Sequence, residues 1–306
     1  MATLSQWVQG ARPRTLPVAV APVVVGTGAA FALGRHSLGY ALLALVVALS
    51  LQVGVNYAND YSDGIRGTDA ERVGPHAEGA ATAGRVGPVR LVGQDLADPT
   101  DVRLAALVAF FLAGLCGFGL VALSEAWVML PVGAACVVAA WYYTGGRHPY
   151  GYRGLGELFV FVFFGLVATL GTLYTQAGEL STAGALGAVG VGALASAVLV
   201  ANNLRDIPSD AVVGKRTLAV RLGDRGTRLL YAALVLASVA VVVALTLTGY
   251  PFAILALPAY ALVWPALNVL RSGATGLDLV PVLARTGQFQ LAWSLLLAVG
   301  VALSRG

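Results

Sequence analysis

Charge is scarce in this chain. Of its 306 residues only 11% are Asp, Glu, Lys or Arg, against 58% apolar, and mean hydropathy is +0.79. A soluble domain carries roughly 25% charged residues, so a water-soluble globule is excluded and a polytopic membrane protein is expected. Cysteine is almost lacking. The two present, Cys116 and Cys136, lie within apolar stretches, which argues against a disulfide framework or a thiolate metal site. Three histidines, His36, His76 and His148, are scattered without ligand spacing, so neither zinc nor haem is suggested. No Ser-His-Asp set, zinc motif or Walker loop is present either.

Long apolar runs are plentiful. Nine segments reach the roughly 20 apolar residues that a membrane crossing needs, at about 15–33, 38–57, 103–123, 125–144, 155–175, 183–203, 228–248, 252–270 and 287–304. The 38 glycines suit helices that pack closely through small residues. Arg12 and Arg14 ahead of the first run imitate a signal peptide, but Pro17 and Pro22 inside it favour an uncleaved first helix. With nine crossings the connections alternate between sides, and every Lys and Arg except Arg35 and Arg305 falls on one of them. That side, with the N-terminus, is expected to be cytoplasmic, which leaves the C-terminus extracytoplasmic in the cell membrane. The net charge of +4 follows from this topology and implies no nucleic-acid partner. Residues 1–306 are expected to form a single all-α domain of nine transmembrane helices. Cytoplasmic loops at about 58–102 and 204–227 would cap it.

Both long loops begin with an acidic cluster. The first runs Asn56-Tyr57-Ala58-Asn59-Asp60-Tyr61-Ser62-Asp63, followed by Arg66 and Asp69. The second runs Asn202-Asn203-Leu204-Arg205-Asp206-Ile207-Pro208-Ser209-Asp210, followed by Gly214-Lys215-Arg216-Thr217. Each holds Asn-x-x-x-Asp and then a further Asp, offsets that share one helical face with Cβ atoms about 5–6 Å apart. One Asp at a helix end is commonplace, because Asp favours termini and water. Two such sets on one membrane face are another matter, since charge at membrane depth is costly unless it is used. Carboxylates this close repel unless a cation lies between them, and hard oxygen donors point to Mg²⁺ with a phosphate-bearing substrate. Asn56, Asp60, Asp63, Asn202, Asp206 and Asp210 are therefore the candidate metal ligands, for two ions that bridge a diphosphate. Asp60, Asp63, Asp206 and Asp210 are the candidate catalytic acids.

Arg66, Lys215 and Arg216 follow the clusters and are placed to meet phosphate oxygens. Pro208 disfavours helix at Ile207, so the sixth span is expected to bend or unwind inside its motif. A diphosphate above an apolar bundle implies an isoprenoid substrate. The alternative class is an ion-coupled transporter, but its acids belong near mid-bilayer, and here all four lie at one face.

These residues resemble the UbiA superfamily of intramembrane aromatic prenyltransferases, and within it the branch that prenylates 1,4-dihydroxy-2-naphthoate in menaquinone biosynthesis. The likeness rests on Ala11-Arg12-Pro13-Arg14-Thr15-Leu16-Pro17, on 56–69, and on Arg85-Val86-Gly87-Pro88-Val89-Arg90-Leu91-Val92. It continues in Tyr143-Thr144-Gly145-Gly146, Pro149-Tyr150-Gly151-Tyr152, Gly154-Leu155-Gly156-Glu157 and Gly214-Lys215-Arg216-Thr217-Leu218-Ala219-Val220-Arg221-Leu222-Gly223. The resemblance implies helices around a central cavity, required Mg²⁺, and transfer from a polyprenyl diphosphate. The acceptor it implies is 1,4-dihydroxy-2-naphthoate, with 4-hydroxybenzoate, homogentisate or haem as the acceptors of sister enzymes. Asn59, Tyr143, Tyr150, Arg147 and Arg153 become candidate substrate-binding residues, and Arg147, Tyr150, Tyr152 and Arg153 would steer the acceptor carboxylate. One departure stands out: many relatives carry an Asp where this chain has Gly67, and Asp69 is the nearest replacement.

Overall fold

The computed structural model describes residues 2–68 and 89–304, and Asp69 and Arg85 lie outside them. Among the described residues there is no strand, and nine apolar helical segments follow one another. They are Leu4–Ala32, Leu38–Ile65, Pro99–Ser124, Met129–Tyr142, Gly156–Ala177, Thr182–Val212, Leu218–Leu247, Pro251–Arg271 and Gly276–Leu303, called here the first to ninth spans. Eight are long and apolar enough to cross a bilayer. The fourth has 14 residues and is about 21 Å long at 1.5 Å per residue, short of a roughly 30 Å hydrocarbon core. The protein is a multi-pass membrane protein, as its composition implies.

Local chemistry sets the ends of the spans. Ser37, Asp98, Ser181 and Thr217 each cap a helix by accepting a backbone N–H from two or three residues downstream. Several ends lie further along the chain than the apolar runs do. The second helix continues to Ile65 and the sixth to Val212, so the acidic clusters are helical and the irregular part of the expected 204–227 loop shrinks to about 213–217. The seventh helix begins at Leu218 and is broken once, at Gly223 with φ 69°.

The expected unwinding at Pro208 does not occur, because helix runs through it. A helical proline gives up only its own N–H and crowds one carbonyl, and neighbouring helices can absorb both at a membrane surface.

The spans divide into a packed side and an open side. Leu194, Tyr231, Phe289, Trp293 and Leu297 form a dense core between the sixth to ninth spans, joined by Val25 and Ala29 of the first. A smaller cluster holds Tyr57, Leu91, Val102 and Phe110, fastening the 89–97 segment and the third span to the second. The fifth span takes a π-helical turn at Phe161–Val167, a register shift often found beside functional sites. That turn touches the sixth span through glycine: a Cβ at Gly165 would lie 2.4 Å from Gly192 Cα. Replacing Gly165 by Val is therefore expected to push the two spans apart. Overpacking of this kind costs about 1–3 kcal/mol or more. The check is thermal melting in detergent, where an unchanged midpoint would show that the contact is not tight.

Candidate functional site

One elongated cavity of about 680 Å³ enters the bundle between the first six spans and the start of the ninth. On the second span its wall is formed by Ala44, Val47, Ala48, Leu51, Gln52, Val55, Asn56, Asn59 and Asp63. The spacing alternates between three and four, so a single helix face lines the cavity over about 28 Å. That face changes character along its length, apolar up to Leu51 and, apart from Val55, polar from Gln52 onward. The sixth span repeats the pattern with Ala195, Val198, Leu199, Asn202, Asn203 and Asp206. The result is an apolar channel with a polar mouth.

At the mouth the side chains are held by one another. Asn56 donates its amide to Ala11 O (2.8 Å) and Thr15 Oγ1 (3.1 Å), and Gln52 also donates to Thr15 Oγ1 at 3.0 Å. Asn59 Oδ1 accepts from Thr144 Oγ1 at 2.8 Å, and Asp63 Oδ1 accepts from the Tyr152 hydroxyl at 2.7 Å. Burial pushes the Tyr152 phenol well above its usual range, and the nearby Asp63 charge adds to the shift, so the hydroxyl stays protonated and able to donate. Arg66 donates to the carbonyls of Thr144 and Gly146, which pins the Tyr-Thr-Gly-Gly turn to the end of the second helix. Across the mouth, Asp206 accepts from Arg205 Nε (2.7 Å) and Nη2 (2.9 Å), a two-point charged pair. Asn202 joins that set at 2.9 Å from Arg205 and 3.4 Å from Asp206.

The structure separates the expected residues into three groups. Asn56, Asn59, Asp63, Asn202, Asp206, Lys215, Tyr143 and Tyr150 all line the cavity. Asp60 and Asp210 do not. Asp60 is fully buried, and its two carboxylate oxygens accept the backbone N–H groups of Leu91 (2.8 Å) and Val92 (3.1 Å). Asp210, also fully buried, lies 3.9 Å from Lys215 Nζ and accepts the Lys215 backbone N–H at 2.8 Å through its own carbonyl. In the third group, Arg147, Arg153 and Arg216 surround a separate hollow, with Tyr152 between that hollow and the cavity.

Sequence reasoning overlooked Arg12, Arg14 and Arg90 as lining residues of the cavity, carried there by segments that pack against the first acidic cluster. Arg12 holds a left-handed backbone, φ 54°, uncommon for a residue other than glycine. The signal lay in the Arg-Pro-Arg and Val-Arg-Leu stretches quoted above, read there as topology and likeness. Glu157 was overlooked as well. It is 7% exposed, and its Oε1 accepts from Asn203, which lines the cavity, at 2.8 Å.

The donors at the mouth suit a hard cation. They are carboxylate and amide oxygens, and among the described residues no group of three or more carboxylates, imidazoles or thiols converges. An ion there would have one or two carboxylates, with water and phosphate oxygens completing the shell, which is how Mg²⁺ is usually held. Arg12, Arg14, Arg90 and Lys215 give the mouth a positive excess for an anionic group to meet.

Comparison with known proteins agrees with this geometry. Residues 19–277 match the model of the UbiA prenyltransferase family. A Mycobacterium tuberculosis protein named 1,4-dihydroxy-2-naphthoate octaprenyltransferase is 53% identical over 302 residues, covering 99% of this chain and 98% of that protein. An Escherichia coli protein of the same name is 38% identical, covering 98% and 96%. Among solved structures, a UbiA homolog from Archaeoglobus fulgidus bound to GPP and Mg²⁺ superposes with a TM-score of 0.66 at 16% identity, covering 97% of this chain and 99% of that one. The chain belongs to the UbiA prenyltransferase family.

Proposed function

We propose that this protein transfers a polyprenyl group from polyprenyl diphosphate to 1,4-dihydroxy-2-naphthoate, releasing CO₂ and diphosphate and giving a demethylmenaquinol. The observation that carries the reading is the change along one cavity from an apolar channel to a mouth of paired oxygen donors and cations. Relatives that match over their full length and share one name supply the acceptor. The solved homologs bound to GPP or DMAPP with Mg²⁺ support a prenyl diphosphate and a divalent cation.

Asp63 and Asp206, with the amide oxygens of Asn56, Asn59 and Asn202, would hold Mg²⁺ at the mouth, as two ions bridging the diphosphate. Mg²⁺ bound there neutralises the diphosphate as it departs. Lys215, Arg12, Arg14 and Arg90 meet the remaining phosphate charge, and the apolar wall from Ala44 to Leu51 and along Phe163 and Phe164 receives the tail and excludes water. The allylic C–O bond breaks and a C–C bond forms at the ring carbon bearing the carboxylate. The electron pair of the departing carboxylate then restores the aromatic ring. The naphthoate hydroxyls activate that carbon, so no strong protein base is needed. Asp60 and Asp210 act from behind, Asp60 by fixing the segment that carries Arg90 and Asp210 by its charge beside Lys215.

The test is purified protein with polyprenyl diphosphates, a panel of aromatic acceptors, and Mg²⁺ present or chelated. Prenylated naphthoate that disappears with chelation is expected. Prenylation of 4-hydroxybenzoate alone would sink the acceptor and leave the metal site standing.

In this reading the protein lies in the cytoplasmic membrane with the cavity mouth facing the cytoplasm, which the basic residues of the connections at that end support. Both acidic clusters lie at that end, whereas Arg35, at the opposite end, pairs with Glu179 at 3.5 Å. A reporter fused after Gly306 should read extracytoplasmic, and a cytoplasmic reading would reverse the orientation.

A further inference from the structure

Beside the cavity lies a second hollow of about 560 Å³, on the same side of the bundle as the mouth. Two segments build it: the connection between the fourth and fifth spans gives Arg147, His148, Tyr152 and Arg153, and the stretch after the sixth span gives Arg216 from the connection and Arg221 from the first turn of the seventh helix. Among the described residues, none of these four guanidinium groups has a carboxylate within 4.0 Å. Other cytoplasmic arginines do find acids, Arg228 with Asp224 and Arg205 with Asp206, both at 2.7 Å. The positive-inside rule explains arginines spread over a face, but it does not require four of them around one hollow. Like charges gathered in this way repel unless an anion sits among them.

The hollow is also braced. Gly154 ends the Tyr150–Arg153 turn with φ +74°, and a Cβ there would fall 3.0 Å from Arg221 Nε. That Nε in turn donates to the Arg216 carbonyl at 3.3 Å, which fixes the Arg221 side chain on its own segment, and the two connections meet at the close approach of Gly154. Tyr152 forms the wall shared with the cavity. Its ring lies 5.1 Å below Lys215 Nζ, and its hydroxyl donates to Asp63, so both neighbours across the wall line the cavity.

The wall chemistry selects the ligand. Four guanidinium forks match the oxygens of a multiply charged phosphate group, each able to donate in pairs. A naphthalene ring needs apolar walls, and here only Pro149 and the Tyr152 ring are available. We propose that this hollow is a second anion site, for diphosphate or another phosphate group, distinct from the metal-binding mouth of the cavity. Two sources share that chemistry: free diphosphate leaving the cavity, and the phosphate headgroup of an anionic lipid at the membrane surface. Only the first source rests on the function proposed above.

Chelation separates the two sites. Inorganic diphosphate is titrated calorimetrically into the purified full chain in detergent with excess EDTA, so that metal-dependent binding in the cavity is silent. Saturable binding is expected. The Arg153→Gln/Arg221→Gln variant should weaken it at least about tenfold, the Arg147→Gln/Arg216→Gln variant should weaken it similarly, and Arg14→Gln, which removes a cation of the cavity mouth, should leave it within about twofold. The second pair guards against misfolding in the first, because Arg221 is part of the brace. Absence of binding in EDTA overturns the site, as does binding by both double variants as tight as that of the unmodified chain. A loss in Arg14→Gln as large as in the double variants would place the diphosphate in the cavity and also overturn it.

Repeating the titration in nanodiscs decides the source. Competition by phosphatidylglycerol but not phosphatidylcholine assigns the site to lipid headgroups. Binding unaffected by phosphatidylglycerol assigns it to free diphosphate, and product inhibition by diphosphate should then weaken in the arginine variants. A protein that fails to prenylate the naphthoate would sink the proposed function and leave the binding result in EDTA untouched.

Discussion

Purified Asp206→Ala protein is expected to turn over at least about 10³-fold more slowly than the unmodified chain while melting within a few degrees of it. Asp206 is the carboxylate that the sixth span brings to the cavity wall, and Asp63 is its counterpart on the second. With Asp206 gone, the mouth loses half of its carboxylate charge, and Arg205 loses both of its bonds to that side chain. The departing diphosphate then forms without the cation that Asp206 would hold. Electrostatic help of this kind is worth several kcal/mol, and about 4 kcal/mol corresponds to a factor near 10³ in rate. Stability should change little, because Asp206 is part-buried at the mouth and water can replace it beside Arg205. Asp63→Ala should be comparably severe, since it also releases Tyr152 from its 2.7 Å hydrogen bond. Near-normal turnover of either variant in saturating Mg²⁺ would remove the metal from the proposal.

Much of this arrangement is legible in the sequence. The nine apolar runs fix an all-α bundle. On the second span the cavity wall is Asn56, Asn59 and Asp63, with Asp60 off it, but on the sixth span the Asn-x-x-x-Asp offset does find the wall, at Asn202 and Asp206. The reason is that helical periodicity and hydropathy are local properties, readable without knowing what packs where. What escapes is everything decided by a distant segment. Asp60 and Asp63 are three residues apart and look equivalent, yet the 89–92 segment folds back onto one and Tyr152 reaches the other. In the sequence Lys215 reads as a phosphate contact and Arg153 as a contact for the acceptor carboxylate, both within one site. Only the placement of the Tyr152 ring puts Lys215 on the cavity and Arg153 outside it. The extra helical turns before Ile65 and Val212 are missed for a related reason. Hydropathy marks where the membrane ends, whereas a helix ends only where its backbone bonds stop being satisfied.

Asp60→Ala is expected to lose activity by a route different from that of Asp206, and stability is where the difference shows. The Asp60 carboxylate is fully buried and serves two adjacent backbone N–H groups, those of Leu91 and Val92. Alanine leaves both donors buried without that acceptor, at about 1–3 kcal/mol each. The segment they anchor carries Arg90 to the mouth and Leu91 into the small core under Tyr57, so both contacts loosen together. A drop of several degrees in the melting midpoint should therefore accompany the loss of turnover. Asp60→Asn should fall between the two, since its amide offers one acceptor oxygen and turns an NH₂ group toward the other N–H. The response to Mg²⁺ separates positioning from direct coordination. If Asp60 acts by holding the segment, the residual activity of Asp60→Asn reaches half-maximum within about threefold of the wild-type Mg²⁺ concentration, whereas Asp63→Asn requires at least tenfold more. An Asp60→Asn protein with an unchanged melting midpoint and a tenfold weaker Mg²⁺ response would show instead that Asp60 leaves the Leu91 and Val92 amides to bind the ion.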